Sequence, residues 1–135
     1  MNFMKLIDTN VLIYLCDNRN LDKKNKSVEA VSNGEFVVSI QNLAELSRAM
    51  SEKARITPTK IKEYITGFAE SYRRITYHES TLLKALDLKE EFGLHFFDSL
   101  IVATMQENGI YEIITENEKD FSKIPFIKVI NPFKK

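Results

Sequence analysis

Apolar positions along this chain alternate between short continuous runs and stretches with the period of a helix. Phe3–Ile7 (FMKLI) reads as a buried strand, and Thr9–Asp17 follows as a helix with no turn residues between them. Asp22 is suited to cap a second helix that runs to Asn33, with Gly34 as its stop. Phe36–Ile40 (FVVSI), rich in β-branched residues and bounded by that glycine, predicts a second strand. In Gln41–Lys53 the residues Leu43, Leu46 and Met50 fall at i, i+3 and i+7, one face of a helix. Thr57 then offers an N-cap with Pro58 at the first helical position, and Ile61, Tyr64, Ile65 and Phe68 continue an apolar stripe.

The second half repeats the alternation. Arg74–Tyr77 is a short third strand, and Ser80 caps a helix that carries Leu82, Leu83 and Leu86 and ends at Gly93. Phe97 or Asp98 opens the next helix, with Leu100, Ile101, Val102 and Met105 inside and Gly109 as the stop. Tyr111–Thr115 and Ile127–Ile130 complete the strands. Strands separated by helices need crossover connections, so the class is α/β: a parallel sheet of four or five strands with helices on both faces. Residues 1–135 read as a single domain, with no internal repeat or linker.

Composition narrows the function classes. With four glycines and three prolines the chain is neither fibrous nor linker-like. Nineteen acids balance nineteen bases, which disfavours binding of nucleic acid by bulk charge alone. A single cysteine, Cys16, excludes a disulfide framework or a cysteine-rich zinc module and suits a reducing compartment. The longest clean apolar run near the start, Val11–Cys16, is six residues, against about 20 needed to span a bilayer. The expectation is a soluble, cytoplasmic protein without a membrane partner.

The informative feature is where the acids fall. Ligands of an open α/β sheet bind outside the carboxyl ends of its strands. Asp8 follows the first strand, and Glu45 lies early in the helix leaving the second. The helix opened near Asp98 leads into Tyr111–Thr115, so it starts at that same edge. Thr115, Glu116, Asn117 and Asp120 follow the exit of the latter strand. Each acid has an ordinary reading of its own: Asp8 and Asp98 as helix caps, Glu45 as a solvated helix residue. Their convergence from separate segments is harder to explain that way, because gathered carboxylates repel unless a cation neutralises them. An all-oxygen cluster suits a hard ion, Mg²⁺ or Mn²⁺, and such ions activate water and stabilise charge on a phosphoryl oxygen.

Four segments carry a family resemblance: Ile7–Tyr14 (IDTNVLIY), Asn42–Leu46 (NLAEL), Gly93–Met105 (GLHFFDSLIVATM) and Ile113–Phe121 (IITENEKDF). In order and spacing they resemble the signature regions of PIN-domain ribonucleases, in particular the VapC-type toxins of toxin–antitoxin pairs. The resemblance implies a PIN-like three-layer fold and a metal-dependent endoribonuclease that uses one or two Mg²⁺ or Mn²⁺ ions. It also implies an RNA substrate, a small antitoxin protein as partner, and a homodimer. Asp8, Glu45 and Asp98 match the metal-binding carboxylates, and Asp120 matches a further catalytic acid. Thr9 and Asn10 match the polar pair that supports the first aspartate. Thr115 matches the threonine of the family's fourth region, and Asn117, two residues on, occupies a position that is acidic in many members.

Other residues invite competing readings. Arg48 is a candidate RNA contact or a helix ion pair with Glu45 or Glu52. Lys53, Arg55, Lys60 and Lys62 form a basic stretch that suits a solvated face. His78 and His95 lack metal-pair spacing, and Phe96 and Phe97 read as core packing rather than as platforms for bases. Glu116 ranks below Asp120 as a site acid. A P-loop and a serine-hydrolase elbow are absent from the sequence. The alternatives to a ribonuclease are a catalytically silent PIN-like module that binds RNA or protein, and a structure-specific DNA nuclease.

Overall fold

The computed structural model of the protein describes residues 3–134. Its elements run β1 (Lys5–Ile7), α1 (Thr9–Cys16), α2 (Leu21–Ala30), β2 (Phe36–Ser39), α3 (Ile40–Glu52), α4 (Pro58–Ser71) and β3 (Arg73–Ile75). They continue as α5 (Glu79–Phe92), α6 (Phe96–Glu107), β4 (Glu112–Ile114), α7 (Glu118–Phe121) and β5 (Lys128–Ile130). The strands form one sheet in the order β3-β2-β1-β4-β5, and every pair is parallel.

Because successive strand residues point to opposite faces, each central strand supplies two cores. Leu6, Val37 and Ile113 pack with residues of α5 and α6, including Ala85, Leu88, Leu100 and Ile101. Their neighbours Ile7, Val38 and Ile114 pack on the other face with Val11, Leu12, Leu43, Leu46, Met50 and Ile61. These apolar runs show no polar alternation because both sides of the sheet are covered. The α/β class, the parallel sheet and the helices on both faces are as the sequence pattern predicts, with five strands.

Local chemistry shifts several boundaries. Phe3 is exposed, so β1 starts at Lys5. Asn20 rather than Asp22 caps α2, its side-chain oxygen accepting the backbone N–H of Lys23 (3.1 Å); Asp22 lies in the first turn and pairs with Lys26, and the helix ends at Ala30. Ser39 caps α3 by accepting the N–H of Asn42 (2.9 Å), which ends β2 one residue early. The Thr57 hydroxyl caps α4 as expected, accepting from Lys60 N (3.3 Å). Ser80 is not a cap: α5 begins at Glu79, tied by the His78 N–H to the Thr81 hydroxyl (2.9 Å). Leu83 and Leu86 face solvent, while Thr81, Ala85 and Leu88 are the buried positions of α5. At Gly93 a left-handed residue (φ +69°) terminates this helix, as a C-terminal glycine should.

Two differences bear on the acidic rim. His95 rather than Phe97 or Asp98 flanks α6, which places Asp98 third in its first turn. The segment after β4 also contains a helix absent from the sequence reading, α7, which at four residues is too short to show an apolar period. Phe121, fully buried, pins α7 to the core and so fixes Asp120 next to it. The Cys16 thiol is pushed up to about 12 by burial, in keeping with a packing role. Among the described residues no helix is long and apolar enough to cross a membrane.

Truncating the α7 anchor should be costly. Phe121→Ala is expected to lower stability by about 3–5 kcal/mol, the range for large aromatics deleted from a core. Urea denaturation of the variant measures this, and a loss under about 1 kcal/mol would mean that the segment is not anchored there.

Candidate functional site

Asp8 leaves β1 directly into α1, and its backbone N–H extends the parallel ladder by donating to the Ile114 carbonyl (3.0 Å). That continuity fixes the carboxyl at the end of the sheet, 7% exposed. Oδ1 accepts from the Thr9 backbone N–H (2.8 Å) and from Asn42 Nδ2 (3.2 Å). Oδ2 accepts from the Thr115 hydroxyl (2.7 Å) and, at longer range, from Asn10 Nδ2 (3.5 Å). Donors from β4's exit, α3 and α1 therefore converge on one side chain.

Glu45 reaches the same place from α3. The Thr9 hydroxyl donates to its Oε1 (2.8 Å), and Asn42 Nδ2 in turn donates to the Thr9 hydroxyl (2.9 Å). Asp8 and Glu45 are thus joined through Thr9 and Asn42. Asn42 is fully buried and is the residue that the sequence reading missed. Its Oδ1 accepts from the Ser39 hydroxyl (2.5 Å), so its amide nitrogen is turned toward the two acids. The available signal was its position three residues before Glu45, on the same face of the helix.

The fourth region closes the network from the other side. Thr115 Oγ1, besides donating to Asp8, accepts from Asn10 Nδ2 (3.2 Å) and from the backbone N–H of Asn117 (2.9 Å). Asn10 Oδ1 accepts the N–H of Glu116 (3.2 Å). Asn117 stands at the N-cap position of α7 without capping it through its side chain. Glu116 points elsewhere: it accepts from the Tyr14 hydroxyl (2.6 Å) and pairs with Lys23. Burial pushes its carboxyl up, but those two partners outweigh that and hold it below the usual range.

Electrostatics tie the acids together more broadly than contact does. Asp8 is pushed up to about 6, chiefly by burial and further by the charges of Glu45 and Asp98; the bonds from Thr115 and Thr9 pull it down without cancelling the rise. Asp98 is also raised, by burial first and then by Asp120 and Glu45, while His95 opposes the shift. The Asp120 carboxyl makes a long ion pair with Lys123 (3.8 Å). Asp8, Glu45, Asp98 and Asp120 accordingly share one acidic rim. Arg48 pairs with Glu52 (3.2 Å) in solvent.

Among the described residues, no three Asp, Glu, His or Cys side chains stand as a ready-made metal-ligand group. The donor chemistry nevertheless fits a hard divalent ion. Every acid at the rim offers oxygen, and two carboxyls, Asp8 and Asp98, are raised by burial first and then by the charges of neighbouring acids. Mg²⁺ in particular keeps several waters and takes only one or two carboxylates with substrate phosphates, so a closed protein cage is not required.

The fold has counterparts among known proteins. The family model for the PIN domain matches residues 5–127. A toxin–antitoxin complex from Klebsiella pneumoniae superimposes with a TM-score of 0.73 at 22% identity, covering 97% of this chain and 99% of that one. VapBC-1 from nontypeable Haemophilus influenzae gives 0.74 at 22% identity, over 98% and 100% of the two chains. Mycobacterium tuberculosis VapC20, a sarcin-ricin loop cleaving toxin, gives 0.72 at 16% identity, over 95% and 99%. At these identities the likeness is one of fold, a PIN-like α/β fold. No match was found among curated protein sequences.

The buried carboxyl sets a pH dependence. A group whose folded pKa (about 6) exceeds its unfolded value (3.8) carries no penalty below the unfolded value and its full penalty above the folded one. With metal chelated, stability should therefore fall by about 3 kcal/mol from this group as pH rises from about 4 to about 6. Urea unfolding across that range, compared with Asp8→Asn, measures it through the slope. An equal slope in the variant would contradict the assignment.

Proposed function

Since the chain belongs to the PIN domain family, we propose that it is a divalent-metal-dependent endoribonuclease and the toxin of a toxin–antitoxin pair. The observation that carries this reading is Asp8, a buried carboxyl held at the end of the sheet and pushed up to about 6 amid further acids. A protein keeps such a cluster at a cost in stability, and a bound cation offsets that cost.

Asp8, Glu45 and Asp98 would hold the ion, Mg²⁺ or Mn²⁺, in one or two sites. When bound it would supply a water of lowered pKa and stabilise charge on a phosphoryl oxygen. The chain's own groups do the rest. Thr9, Asn10, Thr115 and Asn42 fix the orientation of Asp8 and Glu45, so the acids need not reorganise as substrate arrives. Asp120 lies close enough to Asp98 to raise it, and its own link to Lys123 is long, which leaves it free to take a proton from the attacking water. Asn117 adds an amide rather than a charge at this edge.

The wider reading includes RNA as substrate, a small antitoxin as partner, a homodimer and action in the cytoplasm. Its support is the fold shared with a Klebsiella pneumoniae toxin–antitoxin complex and with VapC20, a sarcin-ricin loop cleaving toxin.

The test is cleavage of total RNA with Mg²⁺ or Mn²⁺, against chelated protein and a matched Asp98→Asn preparation. Wild type should release discrete fragments. The variant should fold normally, because it removes a charge that Asp120 and Glu45 repel. Its rate should drop about 100-fold or more, as several kcal/mol of transition-state stabilisation are lost. Equal cleavage by both preparations would overturn the site assignment.

A further inference from the structure

Phe96 and Phe97 adjoin at the start of α6, and their rings have opposite fates. Phe96 packs partly buried against the core of α5 and α6. Phe97 is 61% exposed, contrary to the expectation that both serve the core. Its ring lies edge-on to Phe96, at 5.3 Å between centroids and 75° between planes. An edge-on contact holds a ring in place while leaving a flat face open.

The backbone beneath this ring is also fixed. The Phe97 carbonyl accepts Nε2 of Gln41 (2.9 Å), a buried side chain from the first turn of α3. The next residue is Asp98, whose carboxyl feels Asp120 and Glu45. A held, solvent-facing aromatic thus stands one residue before Asp98, at the point where the two helices that carry Glu45 and Asp98 are stapled together.

We propose that Phe97 is a binding residue that stacks an unpaired nucleobase beside the phosphate that reacts at the rim. The proposal rests on the ribonuclease reading above. Two physical arguments support it. The chain has no excess of bases over acids, and the rim itself is acidic, so phosphate attraction alone gives RNA little hold there. Stacking supplies a hold that needs no charge, tolerates any base and is worth about 1–3 kcal/mol per base. A duplex hides its base faces within the helix, so only splayed or single-stranded nucleotides can use the ring.

The chain contains no tryptophan, so Phe97→Trp introduces a lone indole whose emission is quenched when a base stacks on it. In a Glu45→Gln background, to prevent turnover, three probes are titrated. They are an unstructured ten-nucleotide RNA of mixed sequence, an abasic ribose–phosphate strand of equal length, and the same RNA fully paired. Saturable quenching by the single strand, with little from the other two, is the expected result. Alongside, Phe97→Ala should raise KM for single-stranded RNA about 5- to 150-fold, the stacking range converted to affinity, with kcat little changed. Phe97→Tyr should restore KM.

Equal quenching by the abasic strand, no quenching, or an unaltered KM in Phe97→Ala would overturn the proposal. So would a Phe97→Ala variant that loses self-association or protein binding and keeps its hold on RNA, since the ring would then be a protein contact. Quenching by the single strand in a protein whose wild type cleaves no RNA would uphold the stacking surface and reject the ribonuclease reading. Cleavage without quenching would do the reverse.

Discussion

A carboxylate with almost no water around it ends the first strand, and much of the surrounding structure exists to hold it. Asp8 accepts from Thr9, Asn42, Thr115 and Asn10, and each bond favours the charged form. Burial and the neighbouring acids still win, since the carboxyl is raised to about 6 rather than lowered. A side chain kept only as a helix cap would have no reason to face Glu45 and Asp98 as well. The same bonds dictate where other elements go: Thr115 fixes the exit of β4, and Asn42 fixes the first turn of α3 against α1. The sheet order serves this arrangement, because β2, β1 and β4 are adjacent and deliver their carboxyl ends to one place.

Much of this was legible in the sequence, for identifiable reasons. The strand runs of β1, β2 and β4 are apolar on both faces, and Thr57-Pro58 and Gly93 mark helix ends by backbone rules that depend on few neighbours. Asp8, Glu45 and Asp98 could be placed at one edge because parallel topology assigns strand ends without knowledge of side chains. What escaped depended on tertiary context. Asn42 looks like an ordinary polar helix residue until Asp8 arrives from 34 positions away. The helix α7 is too short for periodicity, and only Phe121 in the core reveals it. Phe97 was misread because an aromatic in an apolar run resembles core, and only the orientation of α6 turns it outward.

The fourth region shows how neighbours sort similar residues. Glu116 and Asp120 are both acids just after β4, but Glu116 is taken up by Lys23 and Tyr14, with Phe133 packed edge-on against the Tyr14 ring. Asp120, held by α7, faces the rim instead. Between them Asn117 contributes its backbone N–H to Thr115 and no charge. The acidic rim therefore consists of Asp8, Glu45, Asp98 and Asp120, from four segments, within a chain whose acids and bases balance overall.

The central claim is that these acids are arranged for a cation. It is tested most directly by titrating the metal-free protein with Mn²⁺ and following the free-ion signal by electron paramagnetic resonance, for wild type and for Asp98→Asn. Saturable binding by wild type, weakened at least tenfold in the folded variant, is the predicted result. Binding that is absent at millimolar Mn²⁺, or identical in the two proteins, would contradict the claim.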